Sequence, residues 1–410
     1  MTNELKNVPE LRFTGFEDEW KKKKLDDVAN YRRGSFPQPY GNKEWYDEKN
    51  GEPFVQVVDV DKNMKLHDQT KQKISDLAKP KSVKGFKGDI VVTLQGSIGR
   101  VALLHYDAYI DRTLLLIDSF KIEMNKNYFK YVLYLLFLKE KERAPGGTIK
   151  TITKKVLSNF KIDIPNVGEQ EKIGEFFSKL DRQIELEEQK LAKLEEQKKG
   201  YMQKIFLQEL RFKDENGNDY PDWIFEELNN IFTKYQNTIY LHDNEEYKRI
   251  SISNKGKITH RDITFGKMIG RKRQYLIDLK KHPNTLTFIR QGVFLGGIGF
   301  IPSSLDGYIV TENMPLLSMS EEYSKKFMIS LFSSESYYKS VIFKNLPTGS
   351  AQKALHEKDW LKSFVNIPVY SEQEKIGNFF EKQDNLIKKQ SDKVELLKER
   401  KKGFLQKMFV

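Results

Sequence analysis

Apolar residues recur at helical spacing over two long stretches of the chain. In the first, Ile173, Phe177, Leu180, Ile184, Leu191, Leu194, Tyr201 and Ile205 follow at intervals of 4, 3, 4, 7, 3, 7 and 4 residues. This is a heptad stripe with two gaps. In the second, Ile376, Phe380, Ile387, Val394, Leu397, Phe404 and Met408 stand on the same rungs. Both stripes are interrupted at matching places, by Glu187 and Gln390, then by Lys198 and Lys401. The pattern predicts two long helices. A helix of 39 residues is about 58 Å long, more stripe than one small lobe can cover. The two are therefore expected to pair with each other, antiparallel; packing of each on its own lobe alone is the simpler alternative.

The two stretches are copies. Residues 169–207 and 372–410 align without a gap at an offset of 203, with 20 of 39 positions identical, including EQEKIG, FF, KKG and QK. The borders repeat as well: ELRF with a following Trp (Trp20, Trp223) opens each half, and an FKIDIP or FVNIP run precedes each helix. Between these borders the sequence diverges almost completely. Such internal repetition points to one frame carrying two unlike lobes.

Within the lobes, short β-rich runs bounded by turn residues are expected at 54–60, 89–94, 101–104 and 114–117, then a helix at 128–142. The second lobe offers 249–253, 286–289, 293–295 and 308–310, then a helix around 324–342. Strands followed by a helix indicate an α+β fold.

Composition narrows the function. Twelve per cent aromatics is too rich for a disordered chain, and the absence of Cys excludes disulfides, thiolate zinc sites and a cysteine nucleophile. No apolar leader is read at the start, and the longest apolar run, 132–138, is far short of the ~20 residues of a membrane span. A cytoplasmic protein with no membrane partner is expected. The net charge of +12 indicates a polyanionic partner. Ten of those charges lie outside the two repeated stretches, and residues 248–273 hold nine basic groups against Asp262 alone. That density, with Phe265, Gln274 and Tyr275 beside it, suits nucleic acid.

Motifs for chemistry on nucleotides are missing. No GxxxxGK[ST] or GxGxxG loop occurs, no NPPY-type tetrapeptide, and no pair of His at metal-ligand spacing. Neither catalytic nor metal-binding residues are assigned. Pro221-Asp222 with Glu246-Tyr247-Lys248 fits a loose metal-nuclease pattern, so a stand-alone site-specific DNA endonuclease of similar reader architecture is the alternative.

The duplicated borders and helices, with GDIVVTLQGSIGRVALL at 88–104, GGTIKTI at 146–152 and TGSAQKAL at 348–355, give a pattern that spans essentially all 410 residues. In this the chain resembles the specificity subunit of type I restriction–modification systems. The resemblance implies a non-catalytic subunit of a complex that methylates adenine and cleaves DNA using ATP. It implies target-recognition domains at 1–165 and 208–368, separated by spacer helices at 166–207 and 369–410 that form an antiparallel coiled coil. Each domain would read one half of a bipartite double-stranded DNA site. The helices would dock two modification (methyltransferase) subunits, and restriction subunits would complete the assembly. S-adenosylmethionine, ATP and magnesium would then sit on those partners, with no cofactor on this chain.

Candidate DNA contacts in the first lobe are Arg32, Arg33, Ser35, Gln95, Ser97, Arg100, Arg112 and Lys150. In the second they are Lys248, Arg249, Arg261, Arg271, Arg273, Gln274, Gln352 and Lys353. Arg and Lys suit guanine or phosphate, and Gln suits adenine. The rod and partner interface is expected on Ile173, Phe177, Leu180, Ile184, Leu191, Leu194, Ile376, Phe380, Ile387, Val394, Leu397 and Phe404.

Overall fold

The computed structural model describes residues 7–143, 152, 154–346 and 354–410. The chain divides into two compact units, residues 1–187 with 393–410, and residues 188–392.

Two four-stranded sheets build the first unit. One orders Ala29–Arg33, Leu114–Phe120, Ile90–Thr93 and Val101–Leu103, all antiparallel. The other orders Gln72–Ile74, Glu52–Val55, Ala108–Ile110 and Val83–Gly85, its two middle strands parallel. Helix Lys126–Arg143 packs on the first sheet, with Tyr128, Phe129, Leu133 and Phe137 buried among Ile90, Val92, Val101 and Leu115.

In the second unit the plan returns on unrelated sequence. Phe232–Tyr235, Leu316–Met319, Thr285–Phe288 and Ile298–Phe300 form the antiparallel sheet. The mixed sheet orders Thr238–Tyr240, Arg273–Leu276, Ile309–Val310, Glu246–Ile252 and Ile258–Phe265, again with one parallel contact, Arg249 opposite Ile309. It differs by an extra edge strand and a longer hairpin. Because alternate side chains share a face, unlike sequences can satisfy one strand order wherever the buried face stays apolar.

Three expectations are corrected. Residues 293–295 form a single 3-10 turn, not a strand, closed by Gly296 at φ +104°, which an L side chain rarely adopts. The run 54–60 is a strand only to Val55 and then turns at Val57–Asp59. The helix expected over 324–342 breaks after Phe332, where Ser334 caps a new turn by accepting from the Tyr337 N–H at 3.2 Å.

The repeated borders fasten each long helix to its lobe. The helices run Val167–Phe206 and Tyr370–Lys407. Arg12 donates two hydrogen bonds to the buried Glu169 carboxylate, both 2.7 Å, and Arg211 donates to Glu372 at 2.7 and 3.3 Å. Gln170 accepts from the Asn125 N–H and donates to the Pro165 carbonyl; Gln373 does the same with Ser324 and Pro368. Phe13 meets Phe176 edge-on in the first unit, as Phe212 meets Phe379 in the second. Strand Lys21–Lys24 pairs with Lys161–Ile164, and Ile224–Glu227 with Phe364–Ile367.

The long helices pair antiparallel within each unit. In the first, Lys401 bonds Asp181 at 2.6 Å and Phe404 packs on Phe176 at 5.1 Å. In the second, the counterparts at offset 203 meet: Lys198 with Asp384, and Tyr201 with Phe379 at 5.3 Å. The lysines that break the heptad stripe therefore fill their gaps with ion pairs, and Glu187 takes Lys393 at 2.5 Å. Ile173, Phe177, Ile184, Ile376, Phe380, Val394 and Leu397 are buried, and Leu180, Leu191, Leu194, Ile387 and Phe404 half-buried. Leu186, Leu386 and Leu396, off the stripe, are exposed.

Glu357 ties together the core of the second unit. Burial disfavours its charge, but hydrogen bonds from Lys234 at 2.5 Å and Arg290 at 2.6 Å prevail and hold its pKa down to about 2. A carboxylate depressed in the fold stabilises above its unfolded pKa and loses that contribution as pH falls through the folded value. The urea midpoint of the second unit, followed by hydrogen exchange in its own segments, is expected to decline between about pH 4.5 and 2. Glu357→Gln should lower the neutral midpoint and flatten that decline; an unchanged acid limb would contradict the linkage.

Candidate nucleic-acid interface

In each unit some of the basic candidates lie at the turn that follows the parallel strand, Arg33 and Arg112 in the first and Arg271 and Arg273 in the second. In the first this turn is Asp111–Thr113. Gly34 crosses it so closely that an added Cβ would lie 2.3 Å from the Asp111 carbonyl. This brings strand end Arg33, Ser35 and exposed Arg112 to one place. Arg112 lies 4.8 Å from the ring centre of Tyr40, whose hydroxyl donates to the buried Asp111 carboxylate. Gln56, Lys71 and Gln72 complete the wall of an open cavity of about 430 Å³. Ser35 donates to the Lys81 carbonyl and Arg33 to that of Ile152. Arg32 is exposed, 3.4 Å from Asp118.

Gln95, Ser97 and Arg100 belong to a separate loop after strand Ile90–Thr93. Gln95 and Ser97 are exposed. Arg100 is half-buried and donates to the Val60 carbonyl at 2.9 Å, which gives it a structural role.

The corresponding turn of the second unit carries Glu312, which collects Arg271 at 2.6 Å and Arg273 at 3.7 Å. The hairpin Glu246–Ile252 and Ile258–Phe265 holds the others. Arg249 grips Asp262 through two bonds of 2.7 and 2.6 Å, an association that raises its already high pKa and spends its fork on a neighbour. Arg261 is exposed, 3.5 Å from the same carboxylate, and Lys248 lies 5.8 Å from the Tyr308 ring centre. Gln274 is a correction: it is buried and donates to the Arg271 carbonyl at 2.7 Å, so it cannot reach a base edge in this conformation. Lys150, Gln352 and Lys353 lie outside the described residues.

Sequence reasoning missed Tyr40 and Glu312, because their roles come from contacts with arginines far along the chain. Among the described residues, no three His, Asp or Glu side chains cluster as metal ligands, and Asp222 and Glu246 sit on separate strand entrances. No described helix is long and apolar enough to cross a membrane.

The sequence profile of the type I restriction modification DNA specificity domain matches residues 17–196. The MjaVIII specificity subunit, a type I restriction enzyme component of Methanocaldococcus jannaschii, is 23% identical over 97% of this chain and 93% of its own. The putative MjaX specificity subunit of that organism is 32% identical over 30% of this chain and 29% of its own. Among solved structures, the type I restriction–modification S subunit from M. genitalium matches at a TM-score of 0.60 with 16% identity, covering 98% of this chain and 99% of that one. A chain from a study of type I complex assembly and conformational transition matches at 0.57 with 13% identity, over 96% and 98%. At those identities the structural likeness is one of fold. With the sequence matches and the duplicated frame, it leads to one conclusion: residues 17–196 carry a type I restriction modification DNA specificity domain, and over nearly its whole length the chain is similar to type I restriction–modification specificity subunits.

Proposed function

We propose that residues 1–165 and 208–368 act as two target-recognition domains, each reading one half of a bipartite, asymmetric DNA site. The repeated helices, 166–207 and 369–410, set the spacer and dock two modification subunits, with restriction subunits joining that assembly. S-adenosylmethionine, ATP and magnesium belong to those partners, and the complex works in the cytoplasm. One observation carries this reading: two lobes of unlike sequence share one strand order and are fastened by the same duplicated contacts, Arg12 with Glu169 and Arg211 with Glu372. A duplicated frame suits a duplicated partner, and divergent lobes suit two different half-sites.

The charge supports the ligand. Exposed Arg32, Arg112, Lys248 and Arg261 have no buried partner among the described residues and are the residues best placed to meet phosphate or guanine. Arg33, Ser35, Gln95, Ser97, Arg271 and Arg273 are the further candidates. Co-expression with a cognate methyltransferase subunit, followed by mapping of methylated adenines, is expected to reveal a bipartite motif. Exchanging residues 208–368 for another lobe should replace one half-site and leave the other intact. A motif unchanged by the exchange, or no bipartite motif at all, refutes the proposal.

A further inference from the structure

Edge strand Ile258–Phe265 of the second unit carries apolar side chains where solvent should select polar ones. Ile263 is 53% exposed and Phe265 43%, and Met268 on the next turn is 73% exposed. Ile258 at the other end of the strand is buried with Ile250 and Ile252, so the strand is core at its turn end and bare at its open end. The bare end carries several basic side chains, while Asp243 and Glu245 beside it are engaged by Lys272 and Tyr247. Lys248 stands directly across from Ile263, Lys267 lies 5.6 Å from the Phe265 ring centre, and Arg261 precedes them. Two carboxylates share the ribbon: Asp262, already held by Arg249, and Glu246, across from Phe265 at the open end.

Basic side chains beside exposed aliphatic and aromatic ones match the major groove. A two-stranded ribbon fits there, and thymine alone presents a C5-methyl group. An acidic protein surface would meet the lysines but leave the apolar stripe uncovered. We propose that Ile263, with Phe265 beside it, contacts thymine methyl groups in the half-site read by the second lobe, while Lys248, Arg261 and Lys267 hold the flanking phosphates. The inference rests on that lobe being a DNA reader.

The test uses the complex with its methyltransferase subunit and synthetic duplexes carrying the mapped site. Deoxyuridine replaces thymidine at each position of the second half-site, removing only the methyl group. Methylation rate at subsaturating complex should fall about threefold to tenfold at one or two positions. In Ile263→Ser, or in Phe265→Ser as a second variant, the loss at the matching position should vanish, while deoxyuridine in the first half-site stays silent. A second half-site without any A·T pair, full tolerance of deoxyuridine, or an undiminished effect in both variants overturns this inference while leaving the half-site assignment intact. Failure to methylate a bipartite site at all would instead remove the reading beneath it.

Discussion

Glu372→Ala is expected to destabilise the second unit by about 3 kcal/mol, and Glu169→Ala to do the same to the first. Each carboxylate is fully buried and takes a charged partner from the repeated ELRF segment, Arg211 or Arg12. Glu372 also accepts from the Trp223 indole at 3.3 Å. Truncation leaves a guanidinium beside an apolar wall without its counter-ion, and the penalty of the orphaned charge exceeds the small net worth of an exposed pair. Both arginines reach water at one edge, which keeps the loss at the lower end of the range for buried pairs. Glu372→Gln keeps the shape and one acceptor, so it should lose about half as much. Hydrogen exchange resolved by segment is the suitable readout, since a chain of two units has no single unfolding free energy. Protection should drop in 210–228 for Glu372→Ala and in 11–28 for Glu169→Ala. A loss below about 1 kcal/mol would show that the carboxylates do not fasten the helices.

The parts of the fold visible in the sequence were those set by local spacing. A heptad stripe needs only neighbours three and four residues away, so the helices and their gaps could be read directly. The repeat also marked Glu169, Gln170 and Gly174 as special, but not why: their partners Arg12, Asn125 and Tyr128 are assigned by tertiary packing. The common strand order of the lobes was hidden because only the parity of buried positions has to match. Residues 293–295 turn where a strand is expected because an apolar triplet between glycines looks alike in sequence as a strand or a turn. In the interface, the basic run 248–273 was legible as a cluster of charge. Which arginines were already engaged was not, since Asp262 and Glu312 reach them across strands. Ile263 is hidden in the sequence for a related reason: an isoleucine in a strand normally signals core, and only its exposure marks it otherwise.

The helix glycines should respond to one substitution with opposite signs. Two glycines recur in both helices, Gly174 and Gly200 in the first and Gly377 and Gly403 in the second, while Gly168 at the start of the first has no counterpart. Glycine to alanine inside a helix stabilises by about 0.5–1 kcal/mol when nothing opposes the methyl group. At Gly200 and Gly403 an added Cβ meets nothing within 4 Å, and that gain should appear in full. At Gly174 the Cβ would lie 2.9 Å from the Tyr128 backbone nitrogen and 2.7 Å from Asn125 Oδ1; at Gly377 it would lie 2.7 Å from the Phe327 nitrogen and 2.6 Å from Lys326 Cβ. In both cases the obstacle is the capped first turn of the lobe helix, whose backbone cannot rotate away as a side-chain tip could. Overpacking of that kind costs about 1–3 kcal/mol and outweighs the helix-propensity gain. Gly174→Ala and Gly377→Ala should therefore lower stability by about 1–2 kcal/mol, with faster exchange in 126–143 and 325–332 respectively. Glycine inside a long helix is thus kept at 174 and 377 by contact with the lobe, whereas the described residues supply no contact that requires it at 200 or 403. If Gly174→Ala raised stability as Gly200→Ala does, the close seating of lobe on helix would be refuted.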